Sequence, residues 1–397
     1  MRVLLFTGKG GVGKTTTAAA TAAVAAARGQ KVLVLSTDPA HSLADALGVP
    51  LGDRPTEVEA GLYGMQVGAL AAWQRSWHVV QEHLRGLLAR AGADPFVAEE
   101  LTVLPGAEEV LALLELRAQA DSGLWDLVVV DCAPTGETLR LLALPEALQW
   151  YVDKAFPAHR RALRAARPLL GRSAPLPSDG LVDAVVRLHA ELSAVRALLV
   201  APTTSVRLVL TPEAVVVAEA RRTLTSLALY GYRVDGAVAN RVFAASDDPF
   251  VATWVRAQQA QLEGVRRDFA DLPVREQAYA AHEPIGLAAL TALGEALYGD
   301  DDPAAPAPPA DDLLAVERDG DAFVLRLGLP LARREDLGLA RSGDELVLTV
   351  GGHRRLVALP GVLSRCRVAG AALAGGRLSV RFVPDPSMWP EALRGSL

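Results

Sequence analysis

A glycine-rich loop constrains this sequence more than any other feature: GKGGVGKTT at residues 8–16 leads directly into an alanine-rich stretch. The loop follows the short apolar run RVLLF at residues 2–6. Such a run predicts a buried strand and alanine favours helix, so the loop joins a predicted strand to a predicted helix. Glycines let main-chain N–H groups approach a ligand that a Cβ would keep away, and the positive end of a helix attracts anions. Gly-x4-Gly-Lys-Thr in this context therefore predicts a loop that binds a polyphosphate.

The loop residues have separate expected roles. Lys14 can reach the β- and γ-phosphates of a nucleotide, and the Thr15 hydroxyl can ligate Mg²⁺. Two of the chain's four lysines, Lys9 and Lys14, lie here, where a compact ammonium suits phosphate better than a planar guanidinium. The alternative is a purely structural glycine-rich turn ahead of a core helix. The predicted nucleotide-binding residues of the loop are Gly8, Lys9, Gly10, Gly11, Val12, Gly13, Lys14, Thr15 and Thr16.

Composition excludes several classes of protein. The net charge of −6 argues against nucleic acid as the main partner. Two cysteines in 397 residues, far apart, exclude a disulfide framework and a cysteine-rich metal site. The first apolar run is too short for a signal peptide, and the alanine stretch is shorter than a membrane span. We therefore expect a cytoplasmic protein with no integral membrane segment.

The order of apolar runs predicts an α/β fold up to residue 299. Further continuous apolar runs are typical of strands buried on both faces of a parallel sheet, with helices between them. They are KVLVL at 31–35, DLVVVD at 126–131, VRLVL at 206–210 and VDGAVAN at 234–240. We expect a P-loop-type domain with a mostly parallel sheet flanked by helices, and a helical subdomain around residues 70–120 and 145–200.

Composition changes sharply at GDDDPAAPAPPADD, residues 299–312, where no large apolar residue occurs. This predicts a semi-extended linker over 300–312. Beyond it, alternating apolar residues in AFVLRLGLPL, ELVLTVGG, HRRLVALPG and GGRLSVRFV predict short strands. We expect a small all-β sandwich from about 313 to 385, followed by a tail over 386–397.

The motif K-G-G-V-G-K-T-T at 9–16 resembles the deviant P-loop of the family that contains the arsenite-pump ATPase ArsA and the ATPases that target tail-anchored proteins. MinD, ParA and nitrogenase iron protein carry similar loops. The resemblance implies that ATP and Mg²⁺ bind here and that Lys9 reaches the nucleotide of a second copy across a homodimer interface. Lys9 and Lys14 are then catalytic as well as nucleotide-binding. A solvent-facing Lys9 is the alternative.

Two further segments are similar to the switch loops of the ArsA and tail-anchored-targeting branch. STDPAHSLADALG at 36–48 resembles switch I, which implies that Asp38 orients or deprotonates the attacking water and that Pro39, His41 and Ser42 shape the loop around the γ-phosphate. Asp38 ahead of a proline could also start a helix.

VVVDCAPTGETLRLLALP at 128–145 ends a predicted strand in Asp131, which can hold Mg²⁺ or its waters. The following segment resembles switch II, with Pro134, Thr135 and Gly136 in the loop. Glu137 and Cys132 depart from the residues that many relatives carry.

The resemblance extends over nearly all of residues 1–299. It implies that Asn240 contacts adenine and that Pro273 lies near the base, although Asn240 could instead cap a strand end. The β-domain resembles the α-crystallin (small heat-shock) domain through the G-x-L-x-V pattern of Gly376, Leu378 and Val380. The usual I-x-I tail is missing, so we expect this domain to dock on the ATPase or on a partner.

Three functions remain open for such an ATPase. We favour a homodimer that couples ATP turnover to opening and closing around a hydrophobic, tail-anchored-like protein client. Trp73, Trp77 and Leu84 could line a client groove, but a stripe with this helical spacing is more often core. The alternative is an ATPase subunit that drives arsenite or anion efflux, and a ParA- or MinD-like positioning ATPase is a third possibility.

Overall fold

The computed structural model describes residues 1–38, 42–67, 107–132, 179–306 and 314–388. The chain divides into two compact units. The first comprises Met1–Val3, Thr15–Ala201 and Pro284–Gly294, and the second Leu4–Lys14, Pro202–Glu283 and Glu295–Leu397.

In the first unit, four strands lie in the order β3-β4-β2-β5. β2 pairs in parallel with both β4 and β5, and β3 is antiparallel to β4. All residues of β2 and β5 are buried, as their continuous apolar sequences predict. The strands are β2 (Val32–Ser36), β3 (Thr56–Glu59), β4 (Leu62–Gln66) and β5 (Leu127–Asp131), and the helices are α1 (Lys14–Ala27), α2 (Ser42–Leu47), α3 (Ala107–Asp121) and α4 (Asp179–Val200).

The alanine-rich sequence of α1 is explained by close helix packing. Six of its alanines are buried, namely Ala18, Ala19, Ala20, Ala22, Ala23 and Ala25. Helix α7 (Leu287–Tyr298) contributes Gly294, where an added Cβ would lie 2.5 Å from the Ala20 carbonyl oxygen and 2.9 Å from Val24. Small side chains on both helices therefore allow their backbones to approach.

In the second unit, the strands lie in the order β1-β6-β7-β8, with parallel pairing of β6 with β7 and of β7 with β8. The strands are β1 (Arg2–Thr7), β6 (Thr204–Leu210), β7 (Val234–Val242) and β8 (Val274–Ala278), and the helices are α5 (Ala214–Tyr230) and α6 (Pro249–Asp268). The strands predicted at 2–6, 31–35, 126–131, 206–210 and 234–240 are all present. The mostly parallel α/β fold class is confirmed.

The C-terminal part of the second unit is built from two antiparallel sheets, β14-β15-β10-β9 and β11-β12-β13. Leu325, Leu327, Leu378, Val380 and Phe382 are among the residues of their shared core. In register, Leu325 lies opposite Val380 and Leu327 opposite Leu378, so the predicted L-x-V pattern faces inward. The elements are β9 (Leu314–Asp319), β10 (Ala322–Gly328), β11 (Leu337–Ser342), β12 (Glu345–Val350), β13 (His353–Ala358), α8 (Gly361–Ser364), β14 (Cys366–Ala374) and β15 (Arg377–Pro384).

These sheets pack on helix α5, in agreement with the expectation that the β-domain docks on the ATPase. Leu229 of α5 belongs to the same buried core cluster as the strand residues. The buried Arg355 donates from Nη1 to the Leu229 carbonyl at 2.6 Å, and the Thr225 hydroxyl donates to the Pro330 carbonyl at 2.7 Å. The β-domain is therefore attached to α5 through apolar and polar contacts.

The start of the predicted linker is also held in the second unit. Arg207 forms a two-point ion pair with Asp235 and donates from Nη1 to the Tyr298 hydroxyl at 2.8 Å and to the Pro303 carbonyl at 3.3 Å. Because Arg207, Asp235 and Tyr298 are all buried, this network joins β6, β7, the end of α7 and the turn that follows it. No helix in the described ranges is long and apolar enough to cross a membrane.

Candidate nucleotide-binding site

The glycines of the loop after β1 serve two different purposes. At Gly8 an added Cβ would lie 2.0 Å from the Val209 carbonyl oxygen, and at Gly13, where φ is +91°, it would lie 2.3 Å from Asn240 Nδ2. These two glycines allow close approach to β6 and β7. At Gly10 and Gly11 a Cβ would meet no protein atom within 4 Å. The backbone there borders open space that side chains would otherwise fill.

The two lysines of the loop lie on either side of this open backbone. Lys14 is buried, and its Nζ donates to the Lys9 carbonyl at 3.4 Å. Lys9 is only half-buried. The Lys14 ammonium therefore points back toward the start of the loop. A side chain that contacts a phosphate held by the loop needs this orientation.

Asn240 holds the loop from β7. Its Nδ2 donates to the Val12 carbonyl at 2.8 Å, and its Oδ1 accepts from the Arg241 N–H at 2.9 Å. One amide proton and one acceptor lone pair are left for further hydrogen bonds. Pro273 lies elsewhere along the strand: its carbonyl accepts from Ala237 N, three residues before Asn240. The described contacts do not bring Pro273 together with Asn240.

Thr15, the residue after Lys14 in the sequence, belongs to the first unit. The hydroxyls of Thr15 and Ser42 are hydrogen-bonded at 3.0 Å. Ser42 is the first described residue of α2. The helix-starting role considered for Asp38 falls on residues 39–41, which lie outside the described ranges.

The carboxyl ends of β2 and β5 form a second cluster in that unit. Ser36 and Asp131 lie opposite each other in register, and the Ser36 hydroxyl donates to Asp131 Oδ2 at 3.4 Å. The same hydroxyl accepts from the Asp38 N–H at 3.2 Å. Asp131 is fully buried and Asp38 is half-buried. The Asp131 carboxylate, the Ser36 hydroxyl and the Asp38 main chain thus meet at the strand ends, where ligands of α/β sheets bind.

Some predicted residues lie outside the described ranges. These are Pro39 and His41 of switch I, Pro134, Thr135 and Gly136 of switch II, and Trp73, Trp77 and Leu84 of the predicted groove. Sequence reasoning missed Ser36, although it directly precedes the T-D-P segment. It also missed Gln258, whose amide contacts the backbone on both sides of Val242.

The residues present fit Mg²⁺ and a polyphosphate. Mg²⁺ prefers hard oxygen ligands. The paired Thr15 and Ser42 hydroxyls are such groups, and so is the Asp131 carboxylate at the end of β5. The main chain at Gly10 and Gly11 is exposed, with no protein atom where a Cβ would lie, and we call it the candidate phosphate cradle. Within the described ranges, no group of three or more histidine, cysteine, aspartate or glutamate residues could hold a metal ion.

The fold and the loop define a P-loop-type nucleotide-binding protein, and comparison with known proteins identifies the family. The family model for the ArsA anion-transporting ATPase matches residues 1–299, and the model for the HSP20-like domain found in ArsA matches residues 320–382. The chain therefore belongs to the ArsA family of anion-transporting ATPases, and it is an ATP hydrolase. The family resemblance and the small-heat-shock-like C-terminal domain predicted from the sequence are confirmed.

Several curated proteins are similar to this chain. An uncharacterized protein of Streptomyces coelicolor is 42% identical, over 98% of this chain and 99% of its own length. A putative arsenical pump-driving ATPase of Chlorobaculum tepidum is 34% identical over 96% of each chain. The ATPase ASNA1 homolog 1 of Paramecium tetraurelia is 33% identical over 37% of this chain and 44% of its own.

Proposed function

We propose that this ATPase binds Mg-ATP in the loop over residues 8–16 and couples its hydrolysis to the opening and closing of a homodimer that holds a hydrophobic protein client. The observation that carries the nucleotide site is the open backbone at Gly10 and Gly11 with the buried Lys14 ammonium beside it. Backbone N–H groups and a helix N-terminus together bind phosphate. Thr15 follows Lys14 in the sequence, and its hydroxyl contacts Ser42 in the first unit.

The carboxylates at the strand ends have distinct proposed roles. Asp131 and the Thr15 hydroxyl would hold Mg²⁺, which neutralises charge on the phosphate oxygens when it is bound. Asp38 is less buried, and its backbone is fixed by the Ser36 hydroxyl. We assign to Asp38 the positioning of the attacking water and the acceptance of its proton.

Lys9 supports a dimer as the active form. It is one of only four lysines in the chain, and it is half-buried beside the phosphate cradle. In a homodimer with facing loops, Lys9 would reach the nucleotide of the partner subunit. Lys9→Ala should then lower kcat and weaken ATP-dependent dimerisation in analytical ultracentrifugation. Turnover that stays unchanged and independent of protein concentration would exclude this role.

A protein client fits the chain better than arsenite. Trivalent arsenic prefers several converging thiolates, but the chain has two cysteines, and both Cys132 and Cys366 are buried. They belong to different units. A single chain therefore cannot supply three thiolates.

Arsenite-linked function is the second candidate, because nearly full-length relatives are named putative arsenical pump-driving ATPases. The proteins named ASNA1 homologs match only 37–38% of this chain. The test measures ATPase rate with arsenite and, separately, with a hydrophobic C-terminal helix peptide, and then assays co-purification of the peptide. A polar peptide of equal length is the control. Capture of the hydrophobic peptide alone, with stimulation of ATPase activity by it, supports the protein-client function. Stimulation by arsenite without peptide capture makes the arsenite-linked function the better supported of the two.

A further inference from the structure

The carboxyl end of β7 contains an irregularity next to the nucleotide loop. Ala239 pairs with Glu276 and Val242 with Ala278, so β7 has one residue more than β8 between these pairs. Arg241 adopts φ +59°, a left-handed conformation that side chains other than glycine, asparagine and aspartate rarely adopt. This is a β-bulge, and bulges next to active sites redirect a side chain.

The side chain that this bulge redirects is Asn240. Its amide donates to Val12 in the loop, and the Arg241 N–H holds the amide oxygen. Gly13 leaves no room between the loop and this amide, because a Cβ there would lie 2.3 Å from Nδ2. Any shift of the bulge therefore moves the backbone at residues 12 and 13.

A single side chain of α6 fixes the bulge. Gln258 is 5% exposed. Its Oε1 accepts from the Phe243 N–H at 2.8 Å, and its Nε2 donates to the Arg241 carbonyl at 3.0 Å. The bulge takes main-chain groups out of the β-ladder, and the two that Gln258 contacts form partly buried hydrogen bonds with it instead. Gln258 supplies partners on both sides of Val242.

We propose that Gln258 is a positioning residue for nucleotide binding, which acts through the bulge and Asn240 to pre-organise the loop at Val12 and Gly13. The inference rests on the proposed nucleotide site. The side-chain hydrogen bonds of Gln258 go to Phe243 and Arg241, not to the loop or to the groups assigned to hydrolysis. Its removal should therefore weaken nucleotide affinity and leave kcat nearly unchanged.

The experiment compares Gln258→Met with Gln259→Met, the same substitution at the neighbouring exposed residue. Mg-ADP affinity is measured by calorimetry, and kcat and KM for ATP are measured at a temperature where each variant is folded. We expect Gln258→Met to raise Kd and KM about tenfold, the size of one to two lost hydrogen bonds, with kcat within about twofold of the unmutated protein. Gln259→Met should change neither quantity.

Hydrogen exchange of the nucleotide-free protein supplies a readout that a loss of general stability would not give. Gln258→Met should accelerate exchange in peptides that cover 239–245 and 8–16, but not in peptides from β10 or β15. If the methionine variant does not fold, Gln258→Glu keeps the shape and the acceptor for Phe243 but replaces the donor to the Arg241 carbonyl by a carboxylate oxygen, and it should raise Kd in the same direction.

Lys14→Ala is measured in parallel to separate the positioning role of Gln258 from the nucleotide site itself. If Lys14→Ala abolishes binding while folded Gln258→Met and Gln258→Glu bind nucleotide like the Gln259 control, the positioning role of Gln258 is wrong and the site stands. If Lys14→Ala binds nucleotide normally, the proposed site itself is wrong.

Discussion

Replacing Arg355 by methionine tests whether the HSP20-like domain is an integral part of the ATPase unit. Arg355 is 7% exposed and donates to the Leu229 carbonyl near the end of α5. A guanidinium at this end also interacts favourably with the helix dipole. Arg355→Met keeps most of the aliphatic volume but removes the charge and the donor, and it leaves a buried carbonyl without this hydrogen bond.

The expected loss follows from these contacts. A hydrogen bond from a charged donor contributes about 1.5–3 kcal/mol, and a cation at a helix C-terminus adds about 0.3–1 kcal/mol. The cost of burying the guanidinium offsets part of the sum. We therefore expect Arg355→Met to lower the free energy of unfolding of the second unit by about 2 kcal/mol, or its Tm by about 4–8 °C for a unit of this size.

The matched control is Arg354→Met, because Arg354 is the exposed neighbour on the same strand. Its contact with Tyr230 is made by the main-chain carbonyl, which this substitution keeps. Urea unfolding is followed by circular dichroism, and ATPase activity is assayed on both variants. If Arg355→Met unfolds at the same urea concentration as Arg354→Met, the packing of the β-domain on α5 does not stabilise the unit and the reasoning is wrong.

Four further substitutions test other parts of the structure. Gly10→Ala should leave stability within about 0.5 kcal/mol because its Cβ meets open space, yet weaken Mg-ATP binding in calorimetry. Gly13→Ala should lower both stability and nucleotide binding, because Gly13 has φ +91° and an added Cβ would lie against the Asn240 amide. Equal effects of Gly10→Ala and Gly13→Ala would contradict the proposal that phosphate binds at the open main chain of Gly10. Asp38→Asn should bind ATP but lower kcat by about 10²-fold or more, whereas unchanged single-turnover rates would remove Asp38 from the chemistry. Arg207→Met should destabilise the second unit by about 3–5 kcal/mol because the buried Asp235 loses its ion pair. A loss of unfolding free energy below about 1 kcal/mol would show that the pair contributes little.

The parallel strands were predictable because a strand buried on both faces is continuously apolar. β2 and β5 have no exposed residue, and their runs VLVLS and LVVVD stand out from the surrounding sequence. β8, with the sequence VREQA, and β14, with CRVAGAALA, were not predicted. β8 is mostly polar and β14 consists mostly of small, exposed residues, so neither shows the expected periodicity.

The candidate site was predictable where its residues are consecutive. The loop over residues 8–16 combines strand, glycines, lysine and helix within one short segment. Gln258 was not predictable, because its role depends on a one-residue bulge in β7 and on the approach of α6. A glutamine in a helix that is otherwise rich in exposed polar residues has the pattern of a surface position.

The central claim is that the loop over residues 8–16 binds the phosphates of ATP through Lys14, and calorimetric titration of Mg-ATP tests it most directly. Lys31→Ala is the control, because Lys31 is a lysine outside the loop sequence whose Nζ lies 5.3 Å from the Trp125 ring. The account predicts that Lys14→Ala gives no measurable binding heat while Lys31→Ala binds like the unmutated protein. Normal Mg-ATP binding by folded Lys14→Ala would contradict it.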